Sequence, residues 1–327
     1  MTKHGVTIAL VGAVSALILL HAAPAQAQQS VNWVASYGSD QNFCNRQAPC
    51  QSFQAAHNAA ASGGVIYCVD AGDYSGLTIT KSISIVCDNT QALISPLIAT
   101  SAAVTINAGA SDTITLIGLD IDTLGIGFGA VAGIIFNSGA ALHLSKVKIR
   151  NVFKSSGDAG GIYFQPNAYA ELYITDSIIT GNGGTGSISG GIIITPSGSG
   201  SVNASINGVR VENNSTGIIV DGTRGSTIVN ATIVNTVVAG NQHDGVIAKS
   251  GPGSAFAFFD HSVASGNFGS GVTAVGGAAT ARIGDSTINL NVNGVSSANG
   301  GTVQSYKNNR ISGNLTDGTP LPAVALQ

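Results

Sequence analysis

The chain has little charge. Only 9% of its 327 residues are Asp, Glu, Lys or Arg, and its formal net charge is −3. The densest basic cluster is Lys146, Lys148 and Arg150, which is too small to follow a phosphate backbone, so we expect no nucleic-acid partner. There are also only 4 cysteines, and no close Cys or His pair has the spacing of a zinc site.

Long apolar runs are missing as well. After the N-terminus no stretch reaches the length of about 18 apolar residues that a membrane-spanning helix needs. Residues 1–27 have the features of a secretory signal, with a short apolar stretch from Ile8 to Leu20 and a small-x-small cleavage site at Ala25-Gln26-Ala27. We therefore expect a mature chain without a membrane span, exported to the periplasm or the cell exterior.

The cysteines are consistent with an oxidising compartment, where disulfides persist. Four cysteines allow three pairings. Cys44 and Cys50 flank a short loop, and Cys68 and Cys87 end two similar β-type runs. If those runs stack on adjacent turns, their sulfurs lie within bridging range. The sequence therefore predicts the disulfides Cys44–Cys50 and Cys68–Cys87.

An asparagine recurs along the chain at short and gradually shrinking intervals and closes a short β-type segment each time: Asn151, Asn182, Asn213, Asn241, Asn267, Asn291 and Asn314. A period of roughly 20 to 50 residues indicates a repeat architecture, and every one of these intervals lies in that range. Asparagine tolerates the positive φ of tight turns, and stacked amides can bond one another. We therefore expect these asparagines to occupy turns and to form a ladder.

Each repeat contains three short apolar runs separated by turns, and no helical pattern comes between them. After each asparagine comes a Gly followed by a β-branched residue: Gly161-Ile162, Gly191-Ile192, Gly217-Ile218, Gly245-Val246, Gly271-Val272 and Gly294-Val295. One such unit cannot bury its apolar side alone. Stacking the units would bury a continuous core and pair each strand with its equivalents about 4.8 Å away.

This pattern, over about Val31 to Gly318, resembles the secreted β-helix proteins of the pectate-lyase-like superfamily. The resemblance implies an all-β fold, a right-handed parallel β-helix with three-strand rungs, and we expect a monomer. A β-propeller is the alternative, but its blades need four strands and a more constant period.

One segment, Gln51 to Ala61, has a helical pattern, with Ser52 as a candidate N-cap and Gly63-Gly64 as its end. Solenoid ends expose strand edges that need cover, so we interpret this segment as a short N-terminal capping helix. The predicted organisation is a signal at 1–27, an N-terminal segment with the capping helix at 28–64, the β-helix at 65–318 and a tail at 319–327.

The candidate catalytic residues come from aligning the chain with itself. Matching the Gly-Ile runs of two consecutive repeats places Asp120 over Lys148 and Asp122 over Arg150, all facing outward. This charged quartet is interpreted either as a cross-strand ion ladder or as an active site. Pectate-lyase-like enzymes hold Ca²⁺ with acidic residues and use a basic residue as the base. The resemblance therefore implies a metal site at Asp120 and Asp122, and Arg150 or Lys148 as a base of lowered pKa.

The same two carboxylates could instead provide acid and base for glycoside hydrolysis. However, the Gly-His-Gly, Asn-Thr-Asp and Arg-x-Lys motifs of galacturonan hydrolases are missing. Calcium is therefore the expected cofactor only if the protein is a lyase, and otherwise we expect none.

A second outward face is predicted on the third strand column, where aromatic and polar residues alternate with apolar ones. Its members are Glu171, Tyr173, Asn230, Thr232, Phe256, Phe258, Thr280 and Arg282. Of these, Tyr173, Glu171 and Arg282 are the predicted substrate-binding residues. A slip of one residue would instead send Phe256 and Phe258 into the core, where we expect at least one of them.

Two hypotheses about function follow. In the first, the chain is a non-catalytic exported β-helix with a binding or structural role toward polysaccharides, cell-surface glycans or the cell envelope. In the second, it is a polysaccharide lyase or glycoside hydrolase that acts on an acidic polysaccharide through the charged quartet. The missing enzyme motifs and the low charge favour the first.

Overall fold

A computed structural model describes residues 29–88, 90–96, 102–124 and 131–325, so the predicted signal at 1–27 lies outside the described residues. The first half of the described chain contains these elements: β1 (Gln29–Val34), α1 (Phe53–Ala59), β2 (Ala60–Cys68), β3 (Gly72–Asp73), β4 (Leu77–Ile79), β5 (Ile83–Val86), β6 (Ala92–Ile94), β7 (Ala102–Asn107), β8 (Thr113–Ile117), β9 (Leu119–Asp122), β10 (Ala132–Ser138), β11 (Ala141–Ser145), β12 (Lys148–Arg150), β13 (Phe153–Lys154), β14 (Gly160–Phe164) and β15 (Ala170–Thr175). The second half contains the remaining strands: β16 (Ile178–Thr180), β17 (Gly183–Gly184), β18 (Gly190–Ile194), β19 (Val202–Asn207), β20 (Arg210–Glu212), β21 (Ile218–Gly222), β22 (Ile228–Val234), β23 (Val237–Ala239), β24 (Val246–Ser250), β25 (Ser254–Asp260), β26 (Val263–Ser265), β27 (Ser270–Val275), β28 (Ala279–Gly284), β29 (Thr287–Asn289), β30 (Asn293–Ala298), β31 (Thr302–Ser305) and β32 (Arg310–Ile311).

Three long parallel sheets run the length of the described chain. The first sheet has the order β1-β2-β5-β8-β11-β15-β19-β22-β25-β28-β31. The second has the order β3-β6-β9-β12-β16-β20-β23-β26-β29-β32, and the third runs from β4 through β7, β10, β14, β18, β21, β24 and β27 to β30. Each rung takes one strand from each sheet in turn, as in β11, β12 and β14. The predicted all-β, right-handed parallel β-helix with three-strand rungs is confirmed, and a propeller is excluded because each sheet spans all rungs.

The core is built by alternation within each strand. In β22, Val229, Ala231 and Ile233 are buried, whereas Asn230 and Thr232 are exposed. Because strands pair in register, buried residues of successive rungs stack on one another. Burying each large aliphatic side chain in such a stack contributes about 2 kcal/mol relative to leaving it in water.

The predicted asparagine ladder lies inside the turn between the second and third sheets. Its members are buried or half-buried: Asn182, Asn214, Asn241, Asn267, Asn291 and Asn314. The Oδ1 atom of Asn241 accepts hydrogen bonds from the backbone N–H and the Nδ2 of Asn214, at 3.0 and 3.2 Å. The Nδ2 of Asn241 in turn donates to the Val211 carbonyl at 3.3 Å and to Oδ1 of Asn267 at 2.8 Å.

Two predicted ladder positions are wrong. Asn213 is exposed and its neighbour Asn214 takes the ladder position, while Asn151 precedes Val152, whose backbone N–H donates to Asn182. Positive φ occurs at the residue before the ladder rather than at the ladder asparagine itself. Asn151 and Asn213 occupy that preceding position, with φ of 58° and 57°. Where glycine takes the preceding position, the repeating asparagine is itself the ladder residue. The spacing in the sequence does not distinguish an asparagine that precedes the ladder from one that belongs to it.

The repeated glycine near the start of the later strands of the third sheet lies close to the backbone of the next rung and to the ladder. A Cβ atom on Gly217 would lie 3.1 Å from the Nδ2 of Asn241 and 2.3 Å from the Gly245 carbonyl oxygen. The same close approach recurs at Gly245, where the nearest ladder amide is that of Asn267 at 2.9 Å. A glycine at this position therefore leaves room both for the backbone of the next rung and for the ladder amide.

Both predicted disulfides are confirmed. Cys44 is bonded to Cys50 and Cys68 to Cys87, and the described residues contain no free cysteine. Cys68 ends β2 and Cys87 follows β5, which pair as neighbours in the first sheet. Disulfides fit a secreted protein. Within the part of the chain that the structure describes, no helix has the length and apolar character needed to cross a bilayer.

The predicted capping helix is present but shorter than expected. Ser52 is its N-cap, and the Ser52 hydroxyl accepts a hydrogen bond from the backbone N–H of Ala55. The helix ends at Ala59 rather than at Gly63-Gly64, because Ala60 already has extended backbone and begins β2. Packing into the first sheet thus competes successfully with continuation of the helix.

His57 of this helix is buried, with 2% of its surface exposed, and its Nε2 accepts a hydrogen bond from the Thr80 N–H. Burial, with a smaller contribution from nearby Lys81, lowers the pKa of His57. Since the folded-state pKa lies below the unfolded value of about 6.5, the unfolded state binds the proton first as pH falls.

We therefore predict that stability falls as the pH is lowered through about 6.5 and continues to fall down to the folded-state pKa. Urea unfolding should show a larger loss between about pH 7 and about pH 5 for the wild type than for His57→Gln, whose amide oxygen can still accept from Thr80. His243→Gln, in an exposed turn, is the matched control. Equal pH dependence in wild type and His57→Gln would contradict the prediction.

Candidate functional site

The register of the charged quartet is as predicted, but Asp122 is buried rather than facing outward. β9 and β12 pair in register, with Lys148 opposite Asp120 and Arg150 opposite Asp122. The side chains between them, Ile121 and Ile149, are fully buried in the core.

Arg150 lies at the centre of this cluster and holds both carboxylates. Its Nε and Nη2 donate to the two oxygens of Asp120 at 2.9 and 3.0 Å. Its Nη1 lies 2.6 Å from Oδ2 of Asp122. The remaining Asp122 oxygen accepts from Asn151 Nδ2 and from the Leu124 N–H, at 2.9 and 2.8 Å. All four carboxylate oxygens therefore have hydrogen-bond donors, and the Asp122 side chain is only 5% exposed.

The electrostatics of Asp120, Asp122 and Arg150 are those of a closed ion cluster. The hydrogen bond to Asp120, with the charges of Asp120 and Asp122, raises the pKa of Arg150 above its ordinary value. A base would need the opposite shift. Asp120 and Asp122 do not fit Ca²⁺ in this arrangement, because a guanidinium occupies the position between the carboxylates that a cation would take. Among the described residues, no group of three or more His, Cys, Asp or Glu side chains is placed to hold a metal.

The second predicted surface is the outward face of the first sheet, and the structure shows which alternate residues of each strand point outward. Two neighbouring outward rows run across the sheet. The central row contains His143, Tyr173, Ser205, Thr232, Phe258, Arg282 and Gln304. The flanking row contains Ala141, Glu171, Asn203, Asn230, Phe256, Thr280 and Thr302. The expectation that Phe256 or Phe258 enters the core is wrong, because Phe259 takes the core position of β25.

Glu171 is the centre of a hydrogen-bond network on this face. Its two carboxylate oxygens accept from the hydroxyls of Tyr169 and Tyr173, at 2.7 and 2.9 Å. The Asn203 amide donates to the Tyr169 hydroxyl at 3.1 Å, and the Asn230 amide donates to Asn203 at 3.0 Å. The tyrosine hydroxyls lower the pKa of Glu171, so the carboxylate stays ionised.

His143 also belongs to this surface, although the sequence did not single it out. Its ring stacks on that of Tyr173 with centroids 4.6 Å apart, and partial burial lowers the pKa of His143. The signal that could have found it is the same kind of self-alignment that found the quartet, because His143 lies opposite Tyr173 in the register of β11 and β15.

Between Tyr173 and Phe258 the central row carries only small hydroxyl residues, Ser205 and Thr232. From the difference in side-chain size we infer a depression between the two aromatic rings, which extends over three strand steps, about 14 Å. Asn203 and Asn230 line one side of it and are exposed. We call this depression, bounded by Tyr173 and Phe258, the trough.

Arg282 does not lie beside Glu171 and Tyr173, although the sequence predicted all three as substrate-binding residues. It lies in the same row as Tyr173 but four strands further on, about 19 Å away. There its guanidinium lies over the rings of Phe256 and Tyr306, 5.4 and 5.9 Å from the ring centroids. Its Nε and Nη2 also donate to Gln304, at 3.2 and 3.1 Å.

Arg282 lines a pocket of about 570 Å³ at the C-terminal end of the first sheet. We call this the end pocket, and its side chains are those of Phe258, Asp260, His261, Arg282, Tyr306 and Asn308. His261 lies between two carboxylates, with Nδ1 2.7 Å from Asp260 and Nε2 3.3 Å from Asp285. The hydrogen bond to Asp260 raises the pKa of His261.

Comparison with known proteins gives limited similarity. No protein-family model matches the chain, and no curated protein matches it. Two solved structures are similar: a pectate lyase, Pel9A, at 16% identity, and the A-module of the Azotobacter vinelandii mannuronan C-5 epimerase AlgE4, at 14% identity. The first match covers 86% of this chain and 78% of the lyase; the second covers 81% of this chain and 91% of the module. Both TM-scores are 0.44, so the fold assignment depends on the strand registers above and no activity is inferred from these proteins.

Proposed function

We propose that this protein is an exported, non-catalytic β-helix that binds glycans along the outward face of its first sheet. The observation that carries the proposal is the trough, where aromatic rings stand at both ends of a floor of hydroxyl and amide side chains. Aromatic faces pack against the apolar faces of sugar rings, and amides and hydroxyls exchange hydrogen bonds with sugar hydroxyls. Export is supported by the two disulfides.

The network around Glu171 supports the proposal because it fixes the residues that would contact a glycan. Tyr173 is held by Glu171 through its hydroxyl and by His143 through its ring face. Ser205 is small, so the opposite ring face of Tyr173 is directed toward the trough. Side chains that are positioned in advance lose little conformational entropy when a ligand binds.

We predict that Tyr173→Ala weakens glycan binding about ten-fold, since one aromatic stacking contact contributes about 1 to 1.5 kcal/mol. Binding would be measured by affinity electrophoresis against polysaccharides selected on a glycan array that includes uronates and neutral sugars. Tyr37→Ala is the matched control, because Tyr37 is 68% exposed and lies near the N-terminal end, away from the trough. No binding above background on the whole array would refute the proposed function.

The catalytic hypothesis keeps one supporting observation, the register that places two carboxylates beside two cations. A lyase or hydrolase built on the quartet would need Arg150 to release both carboxylates before Asp120 and Asp122 could hold Ca²⁺ or act as acid and base. The decisive assay follows unsaturated products and reducing ends from acidic and neutral polysaccharides, with and without Ca²⁺. Activity that is lost in both Asp120→Ala and Lys148→Ala would favour catalysis over binding alone.

A further inference from the structure

The end pocket adjoins the trough through one shared side chain. Phe258 lies between the two: the trough is on the N-terminal side of Phe258, and the end pocket is on its C-terminal side. The next residue of the central row, Arg282, lines the pocket, and its guanidinium donates to Gln304 of the following strand. The ring of Tyr306 meets that of Phe258 edge to face, at 82° and 6.1 Å between centroids, so the two rings form a corner.

The C-terminal tail forms the far wall of the pocket. The backbone N–H of Ser305 donates to the Pro322 carbonyl at 3.0 Å, and the N–H of Val324 donates to the Ser305 carbonyl at 2.9 Å. The tail therefore occupies the edge of β31, the last strand of the first sheet, and Val324 and Ala325 line the pocket. Beyond Tyr173, in contrast, the two outward rows continue into β11 and β8. An extended molecule in the trough would thus meet the tail at its C-terminal end, whereas at its N-terminal end it could continue past Tyr173.

The polar groups of the pocket suit a sugar. Arg282 and Asn308 can donate hydrogen bonds, and Asp260 can accept them. Asp260 is oriented by His261, which is itself held by Asp285 on its other side. A donor and an acceptor beside an aromatic corner match the adjacent hydroxyls and the apolar face of one sugar ring.

We propose that the end pocket binds the terminal sugar of a glycan chain whose following residues lie in the trough. This inference rests on the proposed function and adds that the protein recognises chain ends. The pocket volume of about 570 Å³ is large enough for one or two sugar units, and the C-terminal tail lies on the side away from the trough.

The test uses the full protein and small probes that can fill the pocket but cannot span the trough. The probes are the methyl glycosides of D-glucose, D-galactose and D-mannose, together with free D-glucuronic and D-galacturonic acids, examined by ligand-observed saturation-transfer NMR. We expect at least one of these probes to bind the wild type. Arg282→Ala and Phe258→Ala should weaken that binding at least about ten-fold, because each removes a charge-assisted hydrogen bond or a stacking surface.

Two matched controls make the result specific. Arg310→Ala removes an exposed cation from the second sheet, and Phe268→Ala removes a ring that is 73% exposed in a turn. Both should leave probe binding unchanged. Thermal melting would verify that each variant is folded.

The outcomes separate this inference from the proposed function. If polysaccharides bind and depend on Tyr173, but no probe binds or Arg282→Ala leaves probe binding unchanged, the chain-end inference is overturned and the proposed function stands. If a probe binds but no polysaccharide does, the pocket is a free-sugar site, and both proposals are overturned. Probe binding lost in Arg282→Ala, together with polysaccharide binding lost in Tyr173→Ala, supports both.

Discussion

Replacing Asn241 with alanine is expected to lower the free energy of unfolding by about 4 kcal/mol. Asn241 is fully buried and is bonded on both sides within the ladder. Without its side chain, the N–H and Nδ2 of Asn214 lose their acceptor, and the Val211 carbonyl and Oδ1 of Asn267 lose a donor. Buried groups left without a partner cost about 1 to 3 kcal/mol each, and partial relaxation reduces their sum.

The control for this prediction is Asn213→Gly, one residue outside the ladder. Asn213 is exposed and has φ of 57°, a conformation that glycine adopts without strain. We expect a change within about 0.5 kcal/mol. Urea unfolding of both variants, followed by circular dichroism, gives the two free energies. A larger loss for Asn213→Gly than for Asn241→Ala would mean that the ladder is assigned to the wrong asparagine.

Replacing Arg150 with alanine is expected to lower the free energy of unfolding by about 3 kcal/mol. The variant would leave Asp122, whose side chain is 5% exposed, with only the Asn151 amide and the Leu124 N–H as donors. Removing one partner of a buried ion pair costs about 3 to 5 kcal/mol, and the 30% exposure of Arg150 places the effect at the lower end.

Lys148→Ala is the matched control, since it removes a cation from the same strand without touching the contacts that hold Asp122. We expect a change of less than about 0.5 kcal/mol. A double variant, Arg150→Met with Asp122→Leu, should recover part of the stability, because no buried charge is left unpaired although the Asn151 amide and the Leu124 N–H lose their acceptor. If Arg150→Ala unfolded at the wild-type urea concentration, Asp120, Asp122 and Arg150 would not form a closed ion cluster.

The candidate sites could be predicted in part from the sequence. Aligning two consecutive repeats on their Gly-Ile runs was enough to place Asp120 and Asp122 opposite Lys148 and Arg150, because the segment between the two strands has the same length in both rungs. The role of Arg150 as a clamp on both carboxylates could not be predicted in this way. It depends on the direction of a long side chain, which strand register does not fix.

Most of the end pocket could not be predicted from the sequence. Arg282 was singled out, but Asp260, His261 and Tyr306 join it only because the tail folds back onto β31 and because two turns bring their residues to one side. Arg282, Glu171 and Tyr173 share one face of the sheet, as the sequence predicted. However, Arg282 lies four strands away from the other two, so the structure has two candidate sites where the sequence predicted one.

The sequence by itself determined the repeat, the three-strand rung, the parallel stacking and both disulfides. These features depend on neighbouring rungs only, so a local pattern that recurs from rung to rung carries the information for the whole fold. Only the tertiary structure decided which asparagine enters the ladder, where helix α1 ends, that Phe259 rather than Phe256 or Phe258 fills the core, and how Arg150 bonds. Each of these choices depends on how several elements pack at once, and burial shifts the balance between alternatives that the local sequence leaves nearly equal.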